Sequence, residues 1–185
     1  MKAIISNSTA LRGNIPEIRL IADSAIGRQR EPYWTDTDSD FKYAALICPC
    51  YRIGRLGKNI DRRFASRYID ALAPAALIIP ETFADAPMET AEIFLASTNA
   101  LIPGDDAAAD FDNASPLTLS CNGETREFTP CEFIQEAVPT LSRFMTLKNG
   151  DRIIDCSNPI AAGVLPRSTL EACIGNITTL KIKML

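Results

Sequence analysis

Histidine is absent from this chain of 185 residues, so any chemistry must come from other side chains. The absence removes nucleophiles activated by histidine, zinc bound by histidine, and the usual general base near neutral pH. Catalysis would have to use carboxylates, lysine, cysteine, tyrosine, or a metal ion held by carboxylates.

The six cysteines include the pair Cys48-Pro49-Cys50, which has the composition of half a metal or redox motif. No second pair of this kind accompanies it, and the intervening proline offers no N–H donor to activate a thiolate. The chain is larger than the small scaffolds that depend on disulfides, and its N-terminus lacks the apolar core of a secretory signal. We therefore interpret the cysteines as reduced thiols, mostly buried as small apolar groups.

Four aspartates lie in a stretch of small residues between positions 103 and 116, namely Asp105, Asp106, Asp110 and Asp112. Their spacing lacks the central glycine and the bidentate glutamate of a calcium-binding loop. The stretch is therefore predicted to be a solvated surface loop.

Six basic residues are concentrated in one short segment, namely Arg52, Arg55, Lys58, Arg62, Arg63 and Arg67. No interleaved aromatic platform accompanies them, and the formal net charge of −4 gives no general attraction to nucleic acid or to an anionic membrane. The pattern predicts a structural or dimer-surface role, with an anion site as the alternative. No nucleic-acid partner and no membrane partner are expected.

The overall composition is that of a globular protein, with 46% hydrophobic and 23% charged residues. The length predicts a single domain over residues 1–185. Because no run of about 18 apolar residues occurs, no membrane span is expected. Without a secretory signal, the predicted location is the cytoplasm.

Strand patterns outnumber helical ones in this sequence. Residues 1–17 are predicted to form an irregular N-terminal arm or a short edge strand, and residues 88–101 fit a helix or a strand equally well. Strands are predicted at residues 18–23, 41–53, 75–79, 151–155 and 176–185, with a hairpin at residues 117–128 around Asn122-Gly123.

Two segments have helical periodicity. Apolar residues recur on one helical face over residues 62–73, after Asp61 as a plausible N-cap and before Pro74 as a terminator. A second helix is predicted over residues 129–145, where Pro139 should kink or divide it.

Two stretches, RLGKNIDRRFASRYID (residues 55–70) and LSRFMTLKNGDRII (residues 141–154), resemble the fumarylacetoacetate hydrolase family, specifically its short single-domain bacterial members. The order of the predicted elements between and around them is similar as well. The resemblance covers residues 18–185 in outline and is weak over the first 17.

This resemblance implies an α+β fold that is mainly β, with mixed, rolled sheets and a few short helices, like the C-terminal domain of fumarylacetoacetate hydrolase. It also implies a homodimer. Members of the family bind Mg²⁺ or a similar cation and act as hydrolases, isomerases or decarboxylases on oxo-acids, with the metal polarising the substrate.

The family's metal-ligand positions hold no carboxylate in this chain. Counting back from Arg55, the family's Glu-x-Glu pair falls on Leu46 and Cys48, and its third ligand, an aspartate, falls on Leu77. Because Mg²⁺ requires hard oxygen ligands, the resemblance implies that the family cofactor is absent here.

The family's substrate-binding positions are changed too. An arginine and a lysine of the family correspond to Glu81 and Glu92, which reverses both charges. The Thr-Gly-Thr-Pro turn that holds a substrate carboxylate corresponds to Cys156-Ser157-Asn158-Pro159, so that Ser157 and Asn158 occupy the former cleft.

These replacements lead to three hypotheses. The first is a catalytically degenerate, non-catalytic homo-oligomer that binds a small-molecule ligand or a partner. The second is an enzyme acting on a small oxo-acid or an acylpyruvate by relocated, metal-independent chemistry, in which Glu81 or Glu92 acts as the base. The third is a partner module that assembles with an intact paralogue.

Overall fold

The computed structural model describes residues 1–12, 15–34, 42–81 and 95–185, with the backbone alone described at residues 7–12, 15, 16 and 178. Residues 88–94 of the segment that fits either a helix or a strand lie outside these ranges. Within the described ranges, no helix is long and apolar enough to cross a lipid bilayer.

Most regular structure in the described chain is β. The strands are β1 (Lys2–Arg12), β2 (Ile15–Ala22), β3 (Tyr43–Ile53), β4 (Ile69–Pro80), β5 (Leu101–Pro103), β6 (Leu117–Cys121), β7 (Glu124–Phe128), β8 (Arg152–Asp155), β9 (Ile160–Val164), β10 (Thr169–Ile174) and β11 (Thr178–Lys183). The helical elements are the α-helix α1 (Pro130–Phe144) and the short 3-10 helices Asp23–Ala25 and Arg62–Tyr68.

The strands form a larger and a smaller sheet. The larger sheet has the order β2-β1-β8-β3-β4-β5, with β9 also paired to β3, and the smaller has the order β11-β10-β6-β7. The larger sheet is mixed, because β1 runs parallel to β8 while β3 runs antiparallel to β4, β8 and β9. The predicted α+β, mainly β class is confirmed.

Strands β3 and β4 form the centre of the larger sheet and are buried on both faces. Alternate side chains point to opposite faces, so Ile47 and Tyr51 join one hydrophobic cluster while Leu46 and Cys48 join another. We call the cluster that contains Ile47 and Tyr51 the larger core; it also includes apolar residues of α1 and of the smaller sheet. We call the cluster that contains Leu46 and Cys48 the smaller core. A strand covered on both faces needs apolar residues at every position, which explains the run ALAPAALII in β4.

Pro74 lies within β4 rather than at the end of a helix, which corrects the sequence prediction. It pairs with Pro49 across the ladder. The carbonyl oxygen of Pro74 accepts a hydrogen bond from the N–H of Gly104, 2.7 Å away, so its backbone faces away from β3. Neither proline therefore interrupts a β3–β4 hydrogen bond, since such pairs alternate between bonded and non-bonded positions.

The helix predicted over residues 62–73 is shorter than expected. Its N-cap is confirmed, because the Asp61 carboxylate accepts a hydrogen bond from the N–H of Arg63 at 3.0 Å. The helix is a 3-10 helix that ends at Tyr68, and Ile69 and Leu72 belong to β4. Pairing with β3 overrides the local helical periodicity at these two positions.

The N-terminal segment is a strand inside the sheet, and the predicted irregular arm or edge strand is wrong. β1 lies between β2 and β8, and its Ala3, Ile4 and Ile5 are almost fully buried. Its partner β8 lies far along the chain, in parallel register that sets Ile4 opposite Ile153.

The remaining local predictions are largely confirmed. Strands β6 and β7 form the predicted hairpin, with Asn122 and Gly123 both at positive φ (50° and 86°) as a tight two-residue turn requires. Helix α1 continues through Pro139 to Phe144, so the predicted division does not occur. Five of the six cysteines are buried.

Candidate functional site

The structure brings together the three positions that the family resemblance matches to metal ligands. Leu46 and Leu77 are direct cross-strand partners on β3 and β4. Cys48 lies two residues beyond Leu46 on the same face of β3, and all three side chains belong to the smaller core. Their exposed fractions are 6% for Leu46 and 0% for Cys48 and Leu77.

The surroundings of these positions are apolar. The smaller core collects side chains from β1 to β5, from β8 and from neighbouring segments, namely Ala3, Ile5, Ile21, Ala25, Leu46, Cys48, Cys50, Ala75, Leu77, Ile79, Leu95, Ala100, Leu101, Ile154 and Cys156. The thiol of Cys48 lies 3.3 Å from that of Cys156. The hydrogen bond to Cys156 and burial together raise the pKa of Cys48 well above its ordinary value, which keeps this thiol protonated.

These residues do not fit a magnesium site. Mg²⁺ is coordinated by about six oxygens in a near-octahedral arrangement. The former ligand positions present two isobutyl groups and one protonated thiol, none of which is a hard oxygen donor. Among the described residues, no three His, Cys, Asp or Glu side chains converge as a metal site.

The structure describes three of the four positions that the resemblance matches to the family's substrate cleft, namely Glu81, Ser157 and Asn158. Glu81 is exposed at the end of β4, where its N–H donates to the carbonyl oxygen of Lys42 at 2.6 Å. Ser157 and Asn158 lie in the turn between β8 and β9, and the N–H of Ser157 donates to the Asp155 carboxylate at 3.0 Å. Glu92 lies outside the described residues.

Asp155 is a candidate site residue that the sequence analysis did not identify. It lies at the end of β8, is 9% exposed, and lines a shallow pocket of about 20 Å³ on the opposite face of the sheet from the smaller core. Burial raises the pKa of Asp155, and the hydrogen bonds from Ser157 offset only part of the rise. The remaining pocket residues are Pro49, Leu119, Arg126, Glu127, Phe128 and Asn158. The sequence feature that could have identified Asp155 is its position directly after the apolar residues of a strand and just before the Cys-Ser-Asn-Pro turn.

The two stretches that resemble the family contact one another. Gly57 and Leu147 exchange backbone hydrogen bonds of 2.9 Å, and the N–H of Ile60 donates to the Ser142 hydroxyl at 2.9 Å. A Cβ added at Gly57 would lie only 2.5 Å from the ring of Tyr68, so glycine is required for this close approach. These contacts support a structural role for the basic segment.

The most buried arginines near this segment are paired with aspartates. Arg152 binds Asp106 through two hydrogen bonds of 2.8 and 2.9 Å, and Arg52 binds Asp106 and Asp70, each at 2.8 Å. Burial would raise the pKa of Asp106, but Arg152 and Arg52 more than offset it, and the pKa is lowered. Most residues of the acidic loop are solvent-exposed, as predicted. Asp106 attaches the loop to the sheet through Arg52 and Arg152.

No protein-family sequence model matches the chain, and no curated protein matches its sequence. Solved structures match along its whole length. A protein assigned to the fumarylacetoacetate hydrolase family from Yersinia pestis CO92 has a TM-score of 0.76 and 18% identity, covering 100% of this chain and 93% of that one. The structure of 5-carboxymethyl-2-hydroxymuconate delta-isomerase from Mycobacterium smegmatis has a TM-score of 0.77 and 18% identity, covering 100% of this chain and 76% of that one.

Fumarylpyruvate hydrolase from Pseudomonas aeruginosa, solved in complex with Mn²⁺ and pyruvate, has a TM-score of 0.73 and 14% identity, covering 100% of this chain and 89% of that one. Together these matches define the class: the chain has the fold of fumarylacetoacetate hydrolase family proteins. The sequence resemblance is therefore confirmed at the level of the fold. The activity has to be argued from the site, because one fold supports many functions.

Proposed function

We propose that this protein is a catalytically degenerate form of the fumarylacetoacetate hydrolase fold. It acts as a homodimer that binds a small-molecule ligand or a partner, and it does not catalyse the metal-dependent reactions of the family. The observation that carries the proposal is the convergence of Leu46, Cys48 and Leu77 in the apolar smaller core.

The energetics support this proposal. A dication transferred into an environment without anionic oxygens loses its hydration and gains no replacement ligands, which costs many kcal/mol. One missing ligand could be replaced by water or a neighbouring carboxylate. Residues 41–52 contain no glutamate or aspartate, so a shift of β3 along its partner would not restore the pair.

Metal titration tests the proposal directly. We expect isothermal titration of the purified chain with Mg²⁺ and with Mn²⁺ to give no saturable heat in the micromolar range. A set of acylpyruvates and other small oxo-acids should remain unchanged with either ion. A micromolar metal site, or metal-dependent turnover of one of these acids, would contradict the proposal.

Light scattering tests the homodimer. We expect a mass of twice that of one chain, independent of added metal. A monomer would contradict the dimer. A monomer that forms a complex with a copurified paralogue in its native host would instead support the partner-module alternative.

One observation favours an enzyme as the second candidate. The buried Asp155 carboxyl, with its raised pKa, shares a pocket with Asn158, which is one of the former cleft residues. A buried carboxyl with a raised pKa holds its proton to a higher pH than an exposed carboxyl does, which favours general acid catalysis on a small oxo-acid without a metal. Metal-independent turnover that is lost in Asp155→Asn would support this candidate, and loss in Glu81→Gln or Glu92→Gln would identify the general base.

A further inference from the structure

Cys48 and Cys156 face each other although 108 positions separate them in the sequence. Their Sγ atoms are 3.3 Å apart, in van der Waals contact and within the range of an S–H···S hydrogen bond. Cys48 is fully buried in β3, while Cys156 is 7% exposed at the start of the turn after β8. The pair thus lies where the smaller core meets the surface.

The backbone holds the two residues in a geometry that suits a covalent link. β3 and β8 are antiparallel, with Cys50 opposite Ile154. Continuing this register by two residues brings Cys156 opposite Cys48. Opposed residues of antiparallel strands have Cα atoms about 4.5 or 5.5 Å apart, and both spacings fall within the range of disulfides, about 4.4 to 6.8 Å.

Cys48 and Cys156 form the one thiol–thiol contact found in the described chain. Cys50 points into the same core, but its thiol accepts a long hydrogen bond of 3.8 Å from Arg152. Cys131 is contacted by the Gln135 amide at 3.0 Å. Cys173, opposite Ser120 in the smaller sheet, is the most exposed of the six.

We propose that Cys48 and Cys156 form a dithiol oxidation site whose co-reactant is hydrogen peroxide and whose product is an intramolecular disulfide. In the first step, the sulfur of the more exposed Cys156 attacks the peroxide, the O–O bond breaks, and a sulfenic acid and water form. In the second step, the Cys48 sulfur displaces the hydroxyl group of Cys156, which leaves as water with the Cys48 proton. Two S–H bonds are replaced by one S–S bond, and two electrons reduce hydrogen peroxide to two waters.

The two thiols differ in a way that fixes their order of reaction. Cys48 is fully buried, whereas 7% of Cys156 is exposed. The complete burial of Cys48 prevents a peroxide from reaching it first. Cys48 therefore acts as the resolving thiol, and the disulfide joins β3 to the turn that contains Ser157 and Asn158. This inference is independent of whether the protein is an enzyme.

Peptide mapping of the full-length protein tests the proposal. The reduced protein is treated with hydrogen peroxide, its free thiols are alkylated, and it is digested without reductant and analysed by tandem mass spectrometry. We expect a linked peptide pair joining Cys48 to Cys156, and a fall in free thiols by two from six that dithiothreitol reverses. Fragmentation distinguishes Cys48 from Cys50, which lies on the same peptide.

Alanine variants and thermal denaturation add a second readout. Cys50→Ala is the matched control, since it removes an equally buried thiol two residues away and should leave the link intact. Cys156→Ala should abolish the link and also the rise in Tm of several degrees that closure of a long loop gives the oxidised wild type. Free Cys48 thiol in peroxide-treated wild type would overturn the proposal, as would oxidation confined to Cys173 or over-oxidation of Cys156 to sulfinic acid. Because the mapping is done on the wild type, the test holds even if a variant fails to fold.

Discussion

Asp151 binds both the backbone and the side chain of Lys2, and so attaches the first residue of β1 to the turn before β8. The carboxylate is 1% exposed and accepts a hydrogen bond from the Lys2 N–H at 3.0 Å. It also pairs with the Lys2 ammonium group and accepts from the N–H of Lys148 at 2.8 Å. The Lys-Asn-Gly-Asp stretch thus fixes a long-range contact as well as a local turn.

Replacing Asp151 with asparagine is expected to destabilise the protein by about 2 kcal/mol at neutral pH, because it removes hydrogen bonds made to a buried charge. Burial would raise the pKa of Asp151, but the bonds from Lys2 and Lys148 outweigh it, and the pKa is lowered. The stabilisation is therefore present above the unfolded-state pKa and is lost as the pH falls through the folded-state pKa.

Urea denaturation of wild type and Asp151→Asn at pH 7 and near pH 3 checks this prediction. The difference in unfolding free energy should shrink at the lower pH. Asp112→Asn, in the exposed acidic loop, serves as the control and should change stability little at either pH. Equal destabilisation of Asp151→Asn at both values would show that its charge is not responsible.

Asp155 is expected to show the opposite pH dependence. Burial raises the pKa of this carboxyl, so its contribution to stability is present below the unfolded-state pKa and is lost as the pH rises through the folded-state pKa. Asp155→Asn keeps an oxygen to accept the Ser157 N–H and removes the buried charge. We expect the variant to be more stable than wild type at pH 7, with a smaller gain near pH 4, by the same denaturation assay. A variant less stable than wild type at pH 7 would contradict this assignment.

Restoring the carboxylates tests whether the smaller core occupies the position of a metal site. The triple variant Leu46→Glu, Cys48→Glu, Leu77→Asp should lose several kcal/mol of stability without metal, because it buries uncompensated charges. Mg²⁺ or Mn²⁺ should then raise its Tm in a concentration-dependent manner, since a ligand bound only to the folded state stabilises it.

The neutral variant Leu46→Gln, Cys48→Gln, Leu77→Asn is the matched control for this experiment. It has nearly the same shape and no added charge, so it should be destabilised without responding to metal. Wild type should not respond either. Equal shifts in Tm for all three proteins would show that the ions bind elsewhere.

The hydroxyl of Tyr51 has no hydrogen-bond partner among the described residues, although the side chain is fully buried. Its ring stacks on Phe133 with centroids 5.2 Å apart. Because a buried unpaired polar group costs about 1 to 3 kcal/mol, Tyr51→Phe should be neutral or stabilising. Tyr51→Leu, which removes the stacking, should destabilise. Thermal unfolding of both variants measures the difference, and a large loss in Tyr51→Phe would reveal a partner for the hydroxyl.

Local chemistry in the sequence determined several elements correctly. The Asn122-Gly123 turn, the Asp61 cap and the apolar runs of β3 and β4 each depend on residues adjacent in the chain. The family-like stretches also led to Leu46, Cys48 and Leu77, which the structure places together in the smaller core. Residue types alone establish which chemistry a position is unable to perform.

Only the tertiary structure decided which distant segments meet. Nothing near residue 2 specifies Asp151 or β8 as partners of β1, and nothing near Leu72 indicates that β3 would convert a helical pattern into a strand. The contact of Cys48 with Cys156 and the burial of Asp155 have the same origin. Strand pairing between distant segments is set by the burial of whole faces, which depends on every strand in the sheet at once.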